Sequence, residues 1–225
     1  MRFGGFSRMD LVNYPSLVAA TVFVNGCNFR CPYCHNAPLV RGQADDFSDE
    51  EVLSYLSLRQ KMLEGVVVTG GEPTLYEELP AFIKKVKAMG FAVKLDTNGG
   101  NPEMLKALIA RHLVDYVAMD IKTSKEQYRN KVGRDSLFVE ESVQVLKKSG
   151  ILHEFRTTAV KEVVTVNDFL AIGQWIEGSD TYYLQPFNPT VTLDESFHEA
   201  HGYTRTEMEE IRKKLLPVLP NTLVR

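Results

Sequence analysis

Cysteine is scarce in this chain, and charge of neither sign dominates it. The three cysteines all fall between positions 27 and 34, and an odd number so closely spaced cannot close completely into internal disulfides. That excludes a disulfide scaffold; a compact group of thiols in a reducing compartment points instead to metal binding or redox chemistry. A formal net charge of -3 and a pI near 6.0 give no basic field of the kind on which non-specific nucleic-acid binding draws, so nucleic acid is not an expected partner. No apolar run approaches the roughly 20 residues of a membrane-spanning helix, and the opening MRFGGFSRMDLVNYP lacks the basic-then-apolar layout of a signal peptide. The expectation is a cytoplasmic protein without a membrane partner. Low-complexity tracts, long linkers and clear repeats are lacking as well.

What is present is material for one sizeable core: 225 residues, 44% hydrophobic and 24% charged, read here as a single domain spanning residues 1–225. Short β-rich runs alternate with helical periodicity. Strands are expected at AATVFV (19–24), VVVT (66–69), FAVKLDT (91–97), DYVAMDI (115–121), EFRTTAV (154–160) and TYYLQ (181–185). Ser48 and Glu51 have the spacing of a capping box ahead of a helix of about four turns, and Gly90, Gly150 and Gly178 stand where a left-handed residue ends a helix. Strand-helix units joined by right-handed crossovers form a parallel sheet that curls toward a barrel. A closed eight-unit barrel needs about 250 residues, so six units predict an open, partial (β/α)6 TIM-like barrel, with an open α/β sheet as the alternative. In either, ligands belong at the carboxyl ends of the strands.

Polar and glycine residues do collect at those ends. Asn25, Gly26 and Cys27 follow the first strand; Thr69, Gly70, Gly71 and Glu72 close the second; Asp96, Thr97 and Asn98 close the third. Asp120 and Lys122 end the fourth, Arg156 and Thr158 lie on the fifth, and Gln185, Phe187 and Asn188 follow the sixth.

The run Cys27-Asn28-Phe29-Arg30-Cys31-Pro32-Tyr33-Cys34 has C-x3-C-x2-C spacing, which lets one short loop wrap three thiolates around one inorganic centre. Ordinary electron-transfer [4Fe-4S] clusters are held by four cysteines, so a cubane here leaves one iron without a protein sulfur and free to bind a ligand. A closed tetrahedral zinc site made by the three thiolates and His35 is the other reading of the same residues. At this point the sequence resembles the radical S-adenosylmethionine (SAM) superfamily, whose three-cysteine motif has this spacing and an aromatic residue before the last cysteine, as Tyr33 is here. The resemblance implies that SAM chelates the unique iron through its amino and carboxylate groups. One electron from the cluster then splits the sulfur to C5′ bond, giving methionine and a 5′-deoxyadenosyl radical.

Thr69-Gly70-Gly71-Glu72-Pro73 is, taken alone, a tight turn after a strand, where glycines allow close approach of a ligand. By the resemblance Gly70, Gly71 and Glu72 form the G-G-E motif that binds the SAM amino group. Asp96-Thr97-Asn98-Gly99 and Met119-Asp120-Ile121-Lys122 read on their own as an Asx turn and a surface charge pair. They also resemble the D-T-N-G and D-x-K segments of glycyl-radical-enzyme activases. That implies a monovalent-cation site formed by the aspartates Asp96 and Asp120 beside the SAM carboxylate, with Lys122 near SAM and Thr97 a further candidate of the same segments. Arg156 suits the SAM carboxylate or ribose if it points inward, and snorkels at the surface otherwise. Asn188 stands where related activases place a histidine near the SAM ribose. His112, His153, His198 and His201 show no convincing ligand spacing.

The N-terminal Gly4-Gly5-Phe6-Ser7 and Leu11-Val12-Asn13-Tyr14-Pro15, leading into Gly26-Cys27 and on to His35-Asn36, resemble the activating protein of anaerobic ribonucleoside-triphosphate reductase. The resemblance implies abstraction of a hydrogen atom from a backbone glycine of that large partner, with a reductant such as flavodoxin or ferredoxin supplying electrons. No further cysteine follows Cys34, so no additional ferredoxin-like cluster is encoded, and an open barrel leaves a gap through which a glycine-bearing loop could enter. Two alternatives stand beside it: a radical SAM enzyme acting on a small molecule, as 7-carboxy-7-deazaguanine synthase does, and a non-catalytic zinc module on Cys27, Cys31, Cys34 and His35.

Overall fold

In the computed structural model, which describes residues 1–225, every one of the six expected β-runs becomes a strand. The chain divides into two compact units, Met1–Asn28 with Pro38–Val117, and Phe29–Ala37 with Ala118–Arg225.

The first unit holds the strands β1 (Arg2–Asp10), β2 (Ala19–Val24), β3 (Phe47–Ser48), β4 (Gly65–Gly70) and β5 (Ala92–Thr97), and the start of β6 (Tyr116–Asp120). Its helices are α1 (Ala37–Arg41, whose first residue belongs to the other unit), α2 (Asp49–Ser57), α3 (Leu79–Ala88) and α4 (Pro102–Ala110). The strand order is β3-β1-β2-β4-β5-β6. β2, β4 and β5 run parallel, pairing Ala19 with Gly65 and Gly65 with Ala92, whereas β1 is antiparallel to both β2 and β3. Strands covered on both faces read as continuous apolar runs, and Val66, Val67 and Val68 are all fully buried. α3 buries Leu79, Phe82, Ile83 and Val86, the spacing of one helical face, and Phe82 packs its ring 4.9 Å from that of Phe3 on β1. Tyr14, Ala19 and Val67 form a separate cluster with Leu17, Ala92 and Tyr116.

Ser48 and Glu51 do form a capping box, but α2 is nine residues long, about two and a half turns rather than four. Past Ser57 the chain winds on in turns closed by Arg59 N–H to Leu56 and Met62 N–H to Arg59 carbonyls.

The second unit contains β7 (Leu152–Ala159), β8 (Thr181–Pro186) and β9 (Thr222–Val224), in the order β6-β7-β8-β9, with α5 (Tyr128–Val132), α6 (Leu137–Ser149), α7 (Val166–Trp175) and α8 (Arg205–Leu215). β7, β8 and β9 are parallel. Gly150 ends α6 with φ 71°, in the left-handed region that the sequence reading assigned to it. β3 and β9 are edge strands, so the α/β sheet is open and not closed on itself. The sequence did not announce β1, β3 or β9.

Candidate functional site

The carboxyl ends of β2 and β4 are locked to one another. Gly71 donates its backbone N–H to Val24, and Glu72 donates its own to the Gly26 carbonyl, each at 2.9 Å. The two glycines are needed for this approach: a Cβ on Gly71 would lie 1.8 Å from the Gly26 oxygen, and Gly70 has φ 112° with Val24 N 2.5 Å from a Cβ position. The G-G-E segment is thereby fixed against the stretch that leads directly into Cys27.

The Glu72 side chain is fully buried. Its carboxylate accepts the Thr74 N–H at 3.1 Å, the Thr74 hydroxyl at 2.5 Å, the Thr97 hydroxyl at 2.8 Å and the Asn98 N–H at 2.6 Å. Burial raises its pKa, and the four donors work against that rise. The Thr97 hydroxyl also accepts the Gly99 N–H at 3.1 Å. Asn98 then reaches the cysteine loop, donating to Asn28 Oδ1 at 2.8 Å, with its Nδ2 3.6 Å from Cys27 Sγ. The D-T-N-G segment is therefore a bridge between β4 and the cysteine loop. Asn98 went unmarked among the sequence candidates because an Asx turn already accounts for an asparagine there; that turn is present too, in the Gly100 N–H to Asn98 Oδ1 bond.

Asp96 points to the other side of β5. There it pairs with Lys94, whose side chain is 2% exposed, and accepts the Thr69 hydroxyl at 3.2 Å. Lys94 was also missed in the sequence, since lysine in a strand ordinarily marks a solvated position.

In the second unit, Asp120 at the end of β6 meets Lys122 Nζ at 2.7 Å and Arg156 Nε at 2.8 Å. Burial works against ionisation of Asp120, but the Arg156 and Lys122 charges outweigh it and hold the carboxyl well below the usual range. Lys122 is shifted upward, because Asp120 and the neighbouring Cys31 and Cys34 thiols overcome its own desolvation. Arg156 points inward: it also lies 3.9 Å from the fully buried Glu154, which accepts Arg225 at 3.0 Å, and Arg225 stacks 3.8 Å from the Tyr183 ring centre.

Cys27 belongs to the first unit, Cys31 and Cys34 to the second, and none of the three is in a disulfide. The Cys34 N–H bonds the Cys31 carbonyl at 3.1 Å, and the Pro32 carbonyl accepts the Asp194 N–H at 2.9 Å. Tyr33 is buried with a hydroxyl that finds no hydrogen-bond partner in the protein. Asn188 stands apart: it is exposed, and its side-chain oxygen accepts the Thr190 N–H at 3.0 Å and hydroxyl at 2.6 Å in a local turn.

No helix is long and apolar enough to cross a membrane. Among known proteins, residues 21–175 match the model of the radical SAM superfamily. A Methanocaldococcus jannaschii protein provisionally named a glycyl-radical enzyme activating enzyme is 31% identical over 98% of this chain and 94% of its own length. The 7-carboxy-7-deazaguanine synthase of Thermococcus kodakarensis is 28% identical over 73% of this chain and 72% of its own. In fold, the chain resembles Streptococcus suis SuiB, with a TM-score of 0.73 and 10% identity over 91% of this chain and 48% of that one. It also resembles a domain of the pyruvate-formate lyase-activating enzyme of Bacteroides vulgatus, with a TM-score of 0.55 and 14% identity over 72% of this chain and 99% of that domain. With more than half its residues inside that family model and a relative aligned along nearly its whole length, the chain belongs to the radical SAM superfamily.

Proposed function

We propose that this radical SAM enzyme is an activase that makes a glycyl radical on a partner enzyme, and that the partner is anaerobic ribonucleoside-triphosphate reductase. The observation that carries the reading is the end-to-end similarity to the M. jannaschii activating enzyme, which leaves neither chain with a large unmatched segment. Membership of the superfamily removes the zinc module on Cys27, Cys31, Cys34 and His35, and brings a [4Fe-4S] cluster and SAM as cofactors.

The residues suit that pair of cofactors. Three cysteines in one loop, none of them in a disulfide, leave one iron of a cubane without a protein sulfur. The positive charge of Lys122 is felt by Cys31 and Cys34, which offsets part of the negative charge of thiolate ligation. When bound, the cluster supplies the electron that splits SAM into methionine and a 5′-deoxyadenosyl radical, which abstracts the hydrogen atom.

In this reading Cys27, Cys31 and Cys34 hold the cluster. Gly70, Gly71 and Glu72 shape the backbone that meets the SAM amino group, with the Glu72 carboxylate fixing the loop and not reaching the ligand, since its oxygens already serve four donors. The Tyr33 hydroxyl offers a buried hydrogen bond to the adenine or ribose. Lys122 and Arg156, both anchored on Asp120, present fixed positive charge to the SAM carboxylate. Asn188 contacts the ribose only if its turn with Thr190 opens. Hydrogen abstraction by a radical needs no general base; positioning and exclusion of other hydrogen donors are the protein's work.

The test is anaerobic reconstitution, followed by incubation with SAM, dithionite and the reductase. Violet absorption that bleaches on reduction, formation of 5′-deoxyadenosine and a glycyl doublet on the partner in electron paramagnetic resonance are the expected results. Deoxyadenosine without that doublet rejects the activase reading. The match to 7-carboxy-7-deazaguanine synthase supports a second reading, a small-molecule enzyme, for which deoxyadenosine formation would depend on a small organic substrate and not on the reductase.

A further inference from the structure

A monovalent cation beside SAM, the group that the activase resemblance implies at Asp96 and Asp120, does not suit the residues as they stand. Cation sites are built from several oxygens converging on one point. Here Asp96 and Thr97 are successive residues of β5 and face opposite sides of the sheet. The Thr97 hydroxyl is engaged by Glu72 and Gly99, and Asp96 by Lys94 and the Thr69 hydroxyl. In the second unit both Asp120 oxygens carry cationic partners of their own, Lys122 and Arg156.

We infer that the Lys94 ammonium is the built-in counter-charge of Asp96, so that SAM binding and cleavage by this enzyme are independent of added potassium or sodium. The inference rests on the SAM reading above and concerns a residue that reading does not use. Lys94 lies two positions before Asp96 and two after Ala92, which puts all three on the face where Ala92 packs with Tyr14, Ala19 and Val67. Lys94 is 2% exposed, so its stem is buried while its ammonium is carried to the carboxylate at the strand end. A covalently tethered cation has no dissociation equilibrium, and an added metal ion at Asp96 would meet its repulsion. Truncating the lysine removes the ammonium from a carboxylate that is only 11% exposed, which makes a metal or ammonium ion favourable where it was excluded. Lys94 is thus a positioning residue, acting through Asp96.

The experiment compares wild type, Lys94→Met and the charge-free double variant Lys94→Met/Asp96→Asn, each reconstituted with iron and sulfide. SAM affinity by equilibrium dialysis and deoxyadenosine formation are measured in potassium, sodium, ammonium and tetramethylammonium chloride at equal ionic strength. Wild type should vary by less than about twofold among the salts, because an exposed-charge effect would depend on ionic strength alone. Lys94→Met should bind SAM more weakly in tetramethylammonium and recover in potassium or ammonium, and the double variant should be indifferent to the salt. A wild-type enzyme stimulated more than about fivefold by potassium at equal ionic strength overturns the inference, as does a Lys94→Met variant that no small cation restores. If Lys94→Met does not fold, the wild-type comparison decides. If reconstituted wild type makes no deoxyadenosine in any salt, the SAM reading has failed instead. Thermal unfolding of the metal-free proteins then still judges Lys94: potassium should raise the midpoint of Lys94→Met and not that of wild type, and equal shifts in both reject the role.

Discussion

The Glu72 carboxylate accepts the backbone N–H of Asn98 at 2.6 Å, tying the end of β4 to the loop that follows β5. All the protein partners of this carboxylate described above are donors, so Glu72→Gln turns one of its two acceptors into a donor facing a donor. That change should cost about 2–3 kcal/mol of stability in the metal-free protein, the range for a buried group left without its partner, measured by urea unfolding. A loss below about 0.5 kcal/mol would show that the loop does not depend on the charge.

Gly71→Ala should be worse than its size suggests. The added methyl meets the Gly26 carbonyl oxygen 1.8 Å away, and backbone cannot step aside as a flexible side chain can. Overpacking of this kind costs about 1–3 kcal/mol. Because Gly26 precedes Cys27, iron retained after reconstitution should fall as well. A variant that keeps full iron content and wild-type stability would refute the close approach.

Tyr33→Phe separates a structural hydroxyl from a ligand-binding one. The hydroxyl is buried and makes no hydrogen bond within the protein, so its removal should leave the metal-free protein equally stable or about 1 kcal/mol more stable. SAM affinity of the reconstituted protein should drop at the same time. Unchanged affinity would take Tyr33 out of the SAM site.

Acid should erase the contribution of Asp120. Its folded pKa is depressed, so the stability it adds is fully present above its unfolded pKa, near 4, and is lost as pH falls through the lower, folded value. Asp120→Asn mimics the protonated form. The stability gap between wild type and Asp120→Asn, read from urea midpoints of the metal-free proteins, should be largest at neutral pH and narrow steadily below pH 4 or so. A gap independent of pH would mean that Arg156 and Lys122 are not what holds the carboxylate.

β2, β4, β5 and β6 were legible because each is a short, largely apolar run closed by glycine, asparagine or a carboxylate; AATVFV coincides with β2 residue for residue. β1 was not, because RFGGFSRMD breaks the alternation of a half-buried strand with paired glycines. The structure explains them: a Cβ at Gly4 would lie 2.2 Å from the Asn25 side chain, and one at Gly5 would press on Phe23 at 3.3 Å. β9, three residues long, is too short to show a period. At the site, the motifs marked the loops but not their internal bonds. That Glu72 ties the end of β4 to Asn98 depends on a partner 26 residues away in sequence, and Lys94 was hidden because burial of an ammonium depends on a partner two residues away on the same face.

The two edges of the sheet are its shortest strands: Phe47–Ser48 at one and Thr222–Val224 at the other. An unpaired strand edge is a template on which a foreign extended chain can add itself, and the invitation grows with its length. The antiparallel β1 covers the six-residue flank of β2, and β3 in turn pairs with Arg2 and Phe3 at the start of β1. β2, the strand that runs toward Cys27, is thereby paired along both flanks, with β1 on one side and β4 on the other, and is not itself open as a template.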